Sequence, residues 1–540
     1  MSKEGLNFSV SEFPICKSFR TVTQLATAEE MLLISGDMSG IQDFIFSIAT
    51  DDKVARALKG RSFFVQLLSE VCLQLLCDEL QLNESHLISN SGGNFLLIAP
   101  ADKEDKLKEC QKKIDAALKE ESLYFALGWE KCNKDAVHKD FSGVLEKAKS
   151  NSALAKKRKF ASLNADDIFN PFPQTNQDNR RYETLTDKLV HSKGYIIRKS
   201  QEKAENWQKP LSLLGYQIEF VDTPSNTAIQ FNPQNTSKEW KSYRFVVKDL
   251  PQTDFDGLAG KSKERTGTEK LGVLKMDVDN LGSLFKDKLL DTQRSAEKIA
   301  LISRSLTLFF EGEMTNFLKN QNFNGDIYPI FSGGDDLFFV GTWDKMFEFA
   351  EFIQERFRTY ICNHPLLTIS GSLLVVDAKF PVSRFAPLAD ERLDDAKIKG
   401  GKNCINVFDI NLSWSDFKTA KELKTKLVRL VDELDQPRAI IEKIQKSTAG
   451  LNKILQQAEN NKKIDISRVW RLAYYLKGKK LKDENKDAEV RKIFDEIIKQ
   501  YEKLIFGVLK GEKVNPLLVS VAARWAEFET RKKIQSEQET

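Results

Sequence analysis

The sequence predicts an α+β multidomain chain, organised around two copies of a ferredoxin-like βαββαβ unit, with a small α/β segment between them and a helical C-terminus. Three observations carry that reading. An apolar run ending in aspartate occurs twice, as "MLLISGD" (31–37) and "LGVLKMDVD" (271–279). Each run is followed, at nearly the same interval, by a hairpin containing Ser-Gly-Gly: Asp37 to Gly92 spans 55 residues and Asp277 to Gly333 spans 56. From 413 to 540 the apolar residues recur at helical spacing on Lys-rich segments with few glycines.

In the first copy the strand ending at Asp37 leads to the hairpin "LISNSGGNFLLIAP" (87–100). The second copy has a helix carrying Ile299, Ile302, Leu306, Phe310, Met314 and Phe317 on one face. The hairpin "PIFSGGDDLFFVG" (329–341) comes next, then a helix with Met346, Phe349, Ile353, Phe357 and Tyr360, then the strand "LLTISGSLLVV". This order is the split βαβ plan, which sets the end of the first strand beside the hairpin tip. Aligned on their glycines, the copies put Ile41 and Phe44 where Leu281 and Leu284 fall, and Ser39 where Asp279 falls. Asn94 and Phe95 then stand at Asp335 and Asp336, so the first copy reads as one that has lost its acids.

Between the copies, the basic stretch "AKKRKF" (155–160) reads either as a solvated linker or as a contact for a phosphate backbone. Short alternating strands such as "GYIIRK" and "YQIEFVD" follow it. The expected domains are therefore 1–149, 150–262, 263–412 and 413–540, with a fraying tail at the C-terminus. A chain of 540 residues is too long for one core. Seven scattered cysteines without CxxC spacing argue against a disulfide framework or a cysteine zinc site. No apolar run is long enough to span a bilayer, so a cytoplasmic protein without a membrane partner is expected. The net charge of +4 permits nucleic acid as a partner without demanding it.

Two adjacent carboxylates at a hairpin tip call for a cation. Asp335 and Asp336 alternate across the strand, so one would bind a metal squarely and the other would reach it from the turn. Asp277 supplies a third carboxylate and the Val278 carbonyl a fourth oxygen. Hard oxygen donors with open positions suit Mg²⁺ or Mn²⁺ holding a nucleoside triphosphate. Gly333 and Gly334 are expected to turn with positive φ and to leave a phosphate room to approach. Downstream, "DDAKIKGGKNCINVFD" (394–409) offers Lys397 and Lys402 for triphosphate oxygens. The bland alternatives are plain turn chemistry for the aspartates and solvation for the lysines.

The motifs "DVDNLG", "FSGGDD" and "AKIKGGKN" resemble the GGDEF/palm nucleotidyl cyclase superfamily. With "GDMSGIQDFIFS", "ALKGRSFF", "FDGLAGKS" and "KFPVSRFAPLADE", the chain from about 30 to 410 is similar to the large polymerase subunit of type III CRISPR effector complexes, in its Csm-type (III-A or III-D) form. The resemblance implies two palm domains that bind two ATP molecules. Two-metal phosphoryl transfer at the GGDD palm would then build cyclic oligoadenylate, a second messenger of antiviral defence. It implies Mg²⁺ or Mn²⁺, a guide RNA complex with backbone, small and handle-binding subunits, and target RNA as activator. Carried over by motif, Asp277, Asp335 and Asp336 are catalytic and, with Val278, hold metal. Ser332, Gly333, Gly334, Asp279, Lys397 and Lys402 would line one nucleotide, and Ser91, Gly92 and Gly93 would cradle the other.

The chain departs from that family in two ways. None of its histidines (His86, His138, His191, His364) is followed by aspartate, so no HD nuclease is expected. Residues 150–262 contain no cysteine, so no zinc is expected there. Three other readings compete with the cyclase. They are a scaffold that only assembles guide and target RNA, an enzyme that joins AMP to another adenine-containing acceptor, and a stand-alone diguanylate cyclase.

Overall fold

The computed structural model describes residues 30–48, 53–83, 86–163, 180–204, 206–233, 239–284, 296–451, 470–477, 484–512 and 514–531. Expectations for 1–29 and for the tail from 532 lie outside these residues.

Strands β1 (Met31–Ser39), β2 (Leu87–Ser91), β3 (Asn94–Pro100) and β4 (Tyr124–Cys132) form a sheet in the order β2-β3-β1-β4. β1 is antiparallel to both neighbours, with Asp37 opposite Asn94 on one side and Ala126 on the other. That is the strand order of a split βαβ unit. As a central strand, β1 reads as a continuous apolar run, and Met31 to Ile34 are all buried. The helix Phe141–Lys157 packs closely over β4, where a side chain at Gly128 would strike the backbone at Ser152.

A second sheet is built from β5 (Gly194–Lys199), β6 (Tyr216–Val221), β7 (Ile229–Phe231) and β8 (Ser242–Arg244), in the order β6-β5-β7-β8. Ile196, Ala228 and Trp240 form an apolar cluster on it.

The third sheet comprises β9 (Lys270–Asp279), β10 (Ile327–Gly333), β11 (Asp336–Thr342), β12 (Thr368–Asp377), β13 (Cys404–Val407) and β14 (Ile410–Ser413). Its order, β10-β11-β9-β12-β13-β14, repeats that of the first sheet and adds two strands. β12 runs antiparallel to β9 and parallel to β13. The helices of the C-terminal segment include Trp414–Asp432, Glu484–Leu509 and Leu518–Glu529. Phe417 of the first and Trp525 of the last stack at 5.6 Å. No described helix is long and apolar enough to cross a membrane.

The single helix expected over 299–317 is interrupted. Ala296–Thr307 and Met314–Leu318 are joined by a π-helical turn, Leu308–Glu313. The apolar residues Ile302, Leu306, Phe310 and Met314 recur every fourth position. In a regular α-helix such a series drifts by about 40° per step, and a wider turn takes up the drift. Leu306, Phe310 and Met314 are all buried as a result. Farther up, Ala296, Ile299 and Ala300 pack into one core with Met31, Leu33, Leu96 and Ile98 of the first sheet.

Packing groups the chain into two compact units, one combining residues up to Asp254 with Asn280–Phe339, the other combining Phe255–Asp279 with Val340–Thr540. The division thus falls within β11, a boundary that four consecutive segments do not anticipate.

Candidate active site

In the first unit the two hairpin tips face each other. A Cβ built on Gly92 would lie 3.9 Å from the Gly333 carbonyl carbon and oxygen and 4.0 Å from the Gly334 nitrogen. Ser91 pairs with Asn94, leaving Gly92 and Gly93 as a two-residue turn with φ of +59° and +86°. In the other hairpin the turn residues are Gly334 and Asp335, since β10 ends at Gly333 and β11 starts at Asp336.

Two expectations are corrected here. Only Gly334 takes the left-handed conformation, with φ of +67°. Gly333 is needed for a different reason: a Cβ there would meet the Glu311 Oε1 at 3.0 Å. The alignment of the copies also shifts by one. Matching turn with turn puts Gly93 at Asp335 and Asn94 at Asp336. Aligning on glycine identity ignores which residues occupy the turn. The first tip still lacks both carboxylates.

Behind the acidic tip lies a buried charged cluster that nothing in the sequence pattern marked. Ser332, expected as a nucleotide contact, donates its hydroxyl to the Phe310 carbonyl in the π turn. The next residue, Glu311, is buried, and burial pushes its carboxyl up to about 8 against the pull of Arg244. Burial also holds the Lys59 ammonium down to about 7, with Glu311 and Asp249 opposing it. Glu70 accepts a hydrogen bond from the Tyr195 hydroxyl and pairs with Arg244 at 2.6 Å. A lone glutamate in an apolar helix gives no sequence signal that separates it from a solvent-facing one.

In the second unit Asp277 lies opposite Ser370 on β12, and its Oδ2 is 2.5 Å from the Lys397 Nζ. Burial raises the Asp277 carboxyl above its ordinary value, and Lys397 opposes that shift. Lys397 therefore binds a carboxylate here, in the last turn of the helix Val382–Ile398. Asp279, expected beside a nucleotide, is enclosed instead. It is 1% exposed and accepts hydrogen bonds from the Thr368 hydroxyl (2.8 Å), the Ser370 hydroxyl (2.9 Å) and the Asn403 backbone N–H (3.0 Å). Its place is that of a brace between β9, β12 and the loop before β13. Lys402 is exposed, with φ of +69°.

Asp335 and Asp336 are half-buried at the tip, and the Val278 side chain is buried. Carboxylates and a carbonyl are the donor types of a Mg²⁺ or Mn²⁺ site. Among the described residues, however, no three His, Cys, Asp or Glu side chains are gathered closely enough to hold a metal ion.

One pair was missed altogether. Lys156, in the basic stretch, lies 2.5 Å from Asp37 at the end of β1. The signal was present in the spacing: Asp37 to Lys156 spans 119 residues and Asp277 to Lys397 spans 120.

Two family models match the chain: the Csm1 subunit domain B over residues 30–174, and the second palm domain of Cas10/Cmr2 over 270–406. Five relatives carry the name CRISPR system single-strand-specific deoxyribonuclease Cas10/Csm1 (subtype III-A). The Methanocaldococcus jannaschii protein is 28% identical over 477 residues, 71% of this chain and 59% of that protein. The Enterococcus italicus protein is 26% identical over 553 residues, 92% of this chain and 69% of that protein. The chain belongs to the Cas10/Csm1 family of type III CRISPR systems.

Its fold is also that of solved Csm1–Csm4 cassettes. The one in complex with one ATP matches with a TM-score of 0.72 at 23% identity, over 93% of this chain and 70% of that chain. The one in complex with cA4 matches with a TM-score of 0.71 at 22% identity, over 96% and 72%. The resemblance read from the motifs is thus correct at the level of the Csm-type large subunit. The chain spans 59% of the length of the Methanocaldococcus jannaschii relative.

Proposed function

We propose that this Cas10/Csm1 chain is a nucleotidyl cyclase that joins ATP into cyclic oligoadenylate. One observation carries the reading: two glycine hairpin tips face each other in one unit, one with an Asp-Asp pair and one without. Both sheets are read as palms. Each tip offers backbone N–H groups and little side-chain bulk where phosphates would approach. Relatives solved with ATP and with cA4 support ATP as substrate and a cyclic oligoadenylate as product.

Mg²⁺ or Mn²⁺ at the acidic tip would be met by Asp335 and Asp336, and when bound would activate the attacking hydroxyl and neutralise the leaving pyrophosphate. The protein's own groups do the rest. Lys397 favours the ionised form of Asp277 against burial and supplies a cation for triphosphate oxygens. Asp279 fixes the end of β9 through hydrogen bonds from three donors. The proposed setting is a guide RNA complex with Csm4-like, backbone and small subunits, in which target RNA starts synthesis. The Csm1–Csm4 complexes among the solved relatives support the Csm4-like partner.

The deciding experiment incubates the assembled complex with ATP, Mg²⁺ and target RNA and resolves the products by mass spectrometry. Cyclic oligoadenylate from the parent, lost in D335A/D336A, is the expected result. A complex that makes no nucleotide product, with the variant indistinguishable from the parent, would be a scaffold instead.

A further inference from the structure

We propose that Lys156 is a polyphosphate-binding residue of the first copy, the counterpart of Lys397, and that it holds the triphosphate of the second nucleotide. The proposal rests on the cyclase reading and adds a residue to it.

The two lysines occupy matching places. Each sits in the last turn of a helix that follows the fourth strand of its copy, Phe141–Lys157 after β4 and Val382–Ile398 after β12. Each is preceded by alanine, Ala155 and Ala396. Each lies 2.5 Å from the Oδ2 of a strand-end aspartate, Lys156 from Asp37 and Lys397 from Asp277. Even the exposures agree, with lysine and aspartate side chains at 26% and 31% in the first pair and 20% and 30% in the second.

The location is also right. Asp37 lies opposite Asn94, the residue that follows the Gly92–Gly93 turn. The Lys156 ammonium, which also reaches the Met38 carbonyl at 3.4 Å, is therefore held beside the glycine tip. Lys157, Arg158 and Lys159 follow it and are exposed.

The comparison separates two roles that coincide in the second copy. A lysine kept only to hold a metal-binding carboxylate ionised would have no task in the first copy, where Gly93 and Asn94 replace the acids. A lysine kept for phosphate oxygens still would, and more so, since a triphosphate without carboxylate-bound metal beside it needs protein cations to balance its charge. A partly exposed ion pair contributes little to folding, so stability does not account for the pair. Asp37 then acts as a rest position for the ammonium.

The test titrates the assembled complex with a non-hydrolysable ATP analogue and Mg²⁺. The parent is expected to take up two analogues per chain. K156A should weaken one of them by about tenfold to a hundredfold, the range for losing one hydrogen bond to a charged group. K156A should leave the other analogue unaffected, and K156R should restore most of the loss. D37N removes the ion pair but keeps the cation, and should still bind two analogues. Two sites of parental affinity in K156A would overturn the proposal, as would equal loss of one site in D37N and K156A, which would make the pair a brace. A parent that binds no analogue would sink the cyclase reading itself, and the inference with it.

Discussion

The two glycine tips share a strand order and a two-residue turn, and they differ at two adjacent positions. Where one has Asp335 and Asp336, the other has Gly93 and Asn94. What the copies share is the open turn and the aspartate–lysine pair. What they do not share is the pair of carboxylates, so on the proposed reading the first copy serves as an internal control that keeps the binding frame without the acids.

The sharpest way to test that division is to remove the acids from the second tip. D335A/D336A should lower cyclic oligoadenylate formation on the order of a thousandfold, the scale of losing preorganised charge stabilisation. The complex should still assemble, because tip carboxylates contribute little to a core. Product formation against native mass spectrometry of the complex measures both. Transplanting the acids should fail. In G93D/N94D the first new side chain would inherit the Gly93 φ of +86° and a Cβ 3.1 Å from the Ile41 Cδ1. The expected outcome is no second active centre and a loss of about 1 kcal/mol, read as a lower Tm.

A smaller effect is expected from G333A, whose methyl would press on the buried Glu311 carboxyl at 3.0 Å. Either the Glu311 carboxyl or the tip must give by a few tenths of an ångström, and turnover should fall by roughly tenfold with assembly intact. The smallest effect concerns pH. Glu311 has its carboxyl raised from 4.5 to about 8 when folded, so between those values the folded chain holds a proton that the unfolded chain has released. Its stabilising contribution is complete at low pH and is lost as pH rises through about 8. E311Q should flatten that decline in Tm across pH 5 to 8, with Lys59, Glu70 and Arg244 still facing the position.

The sequence made the doubled unit legible because apolar runs, terminal aspartates and paired glycines report strand ends directly. Lys397 was also within reach, since its basic segment follows a strand in the expected order. Turn register was not, because Gly92 and Gly333 look equivalent in letters although one lies in a turn and the other ends a strand. Asp279 was misread for a related reason. Its partners Thr368, Ser370 and Asn403 come from about 90 to 125 residues away, and no local pattern announces three donors converging on one carboxylate. The Asp37–Lys156 pair was hidden by composition, which makes any run of lysines read first as solvent-facing.

The wide turn at Leu308–Glu313 has one more implication. It works as a phase slip: the helix can bury Leu306 and Met314 and still aim Glu311 at the hairpin. Deleting a single residue there would let the segment close into an unbroken α-helix with Leu306 and Met314 still on one face. The core would be kept, and the widened turn that aims Glu311 at the hairpin would be lost.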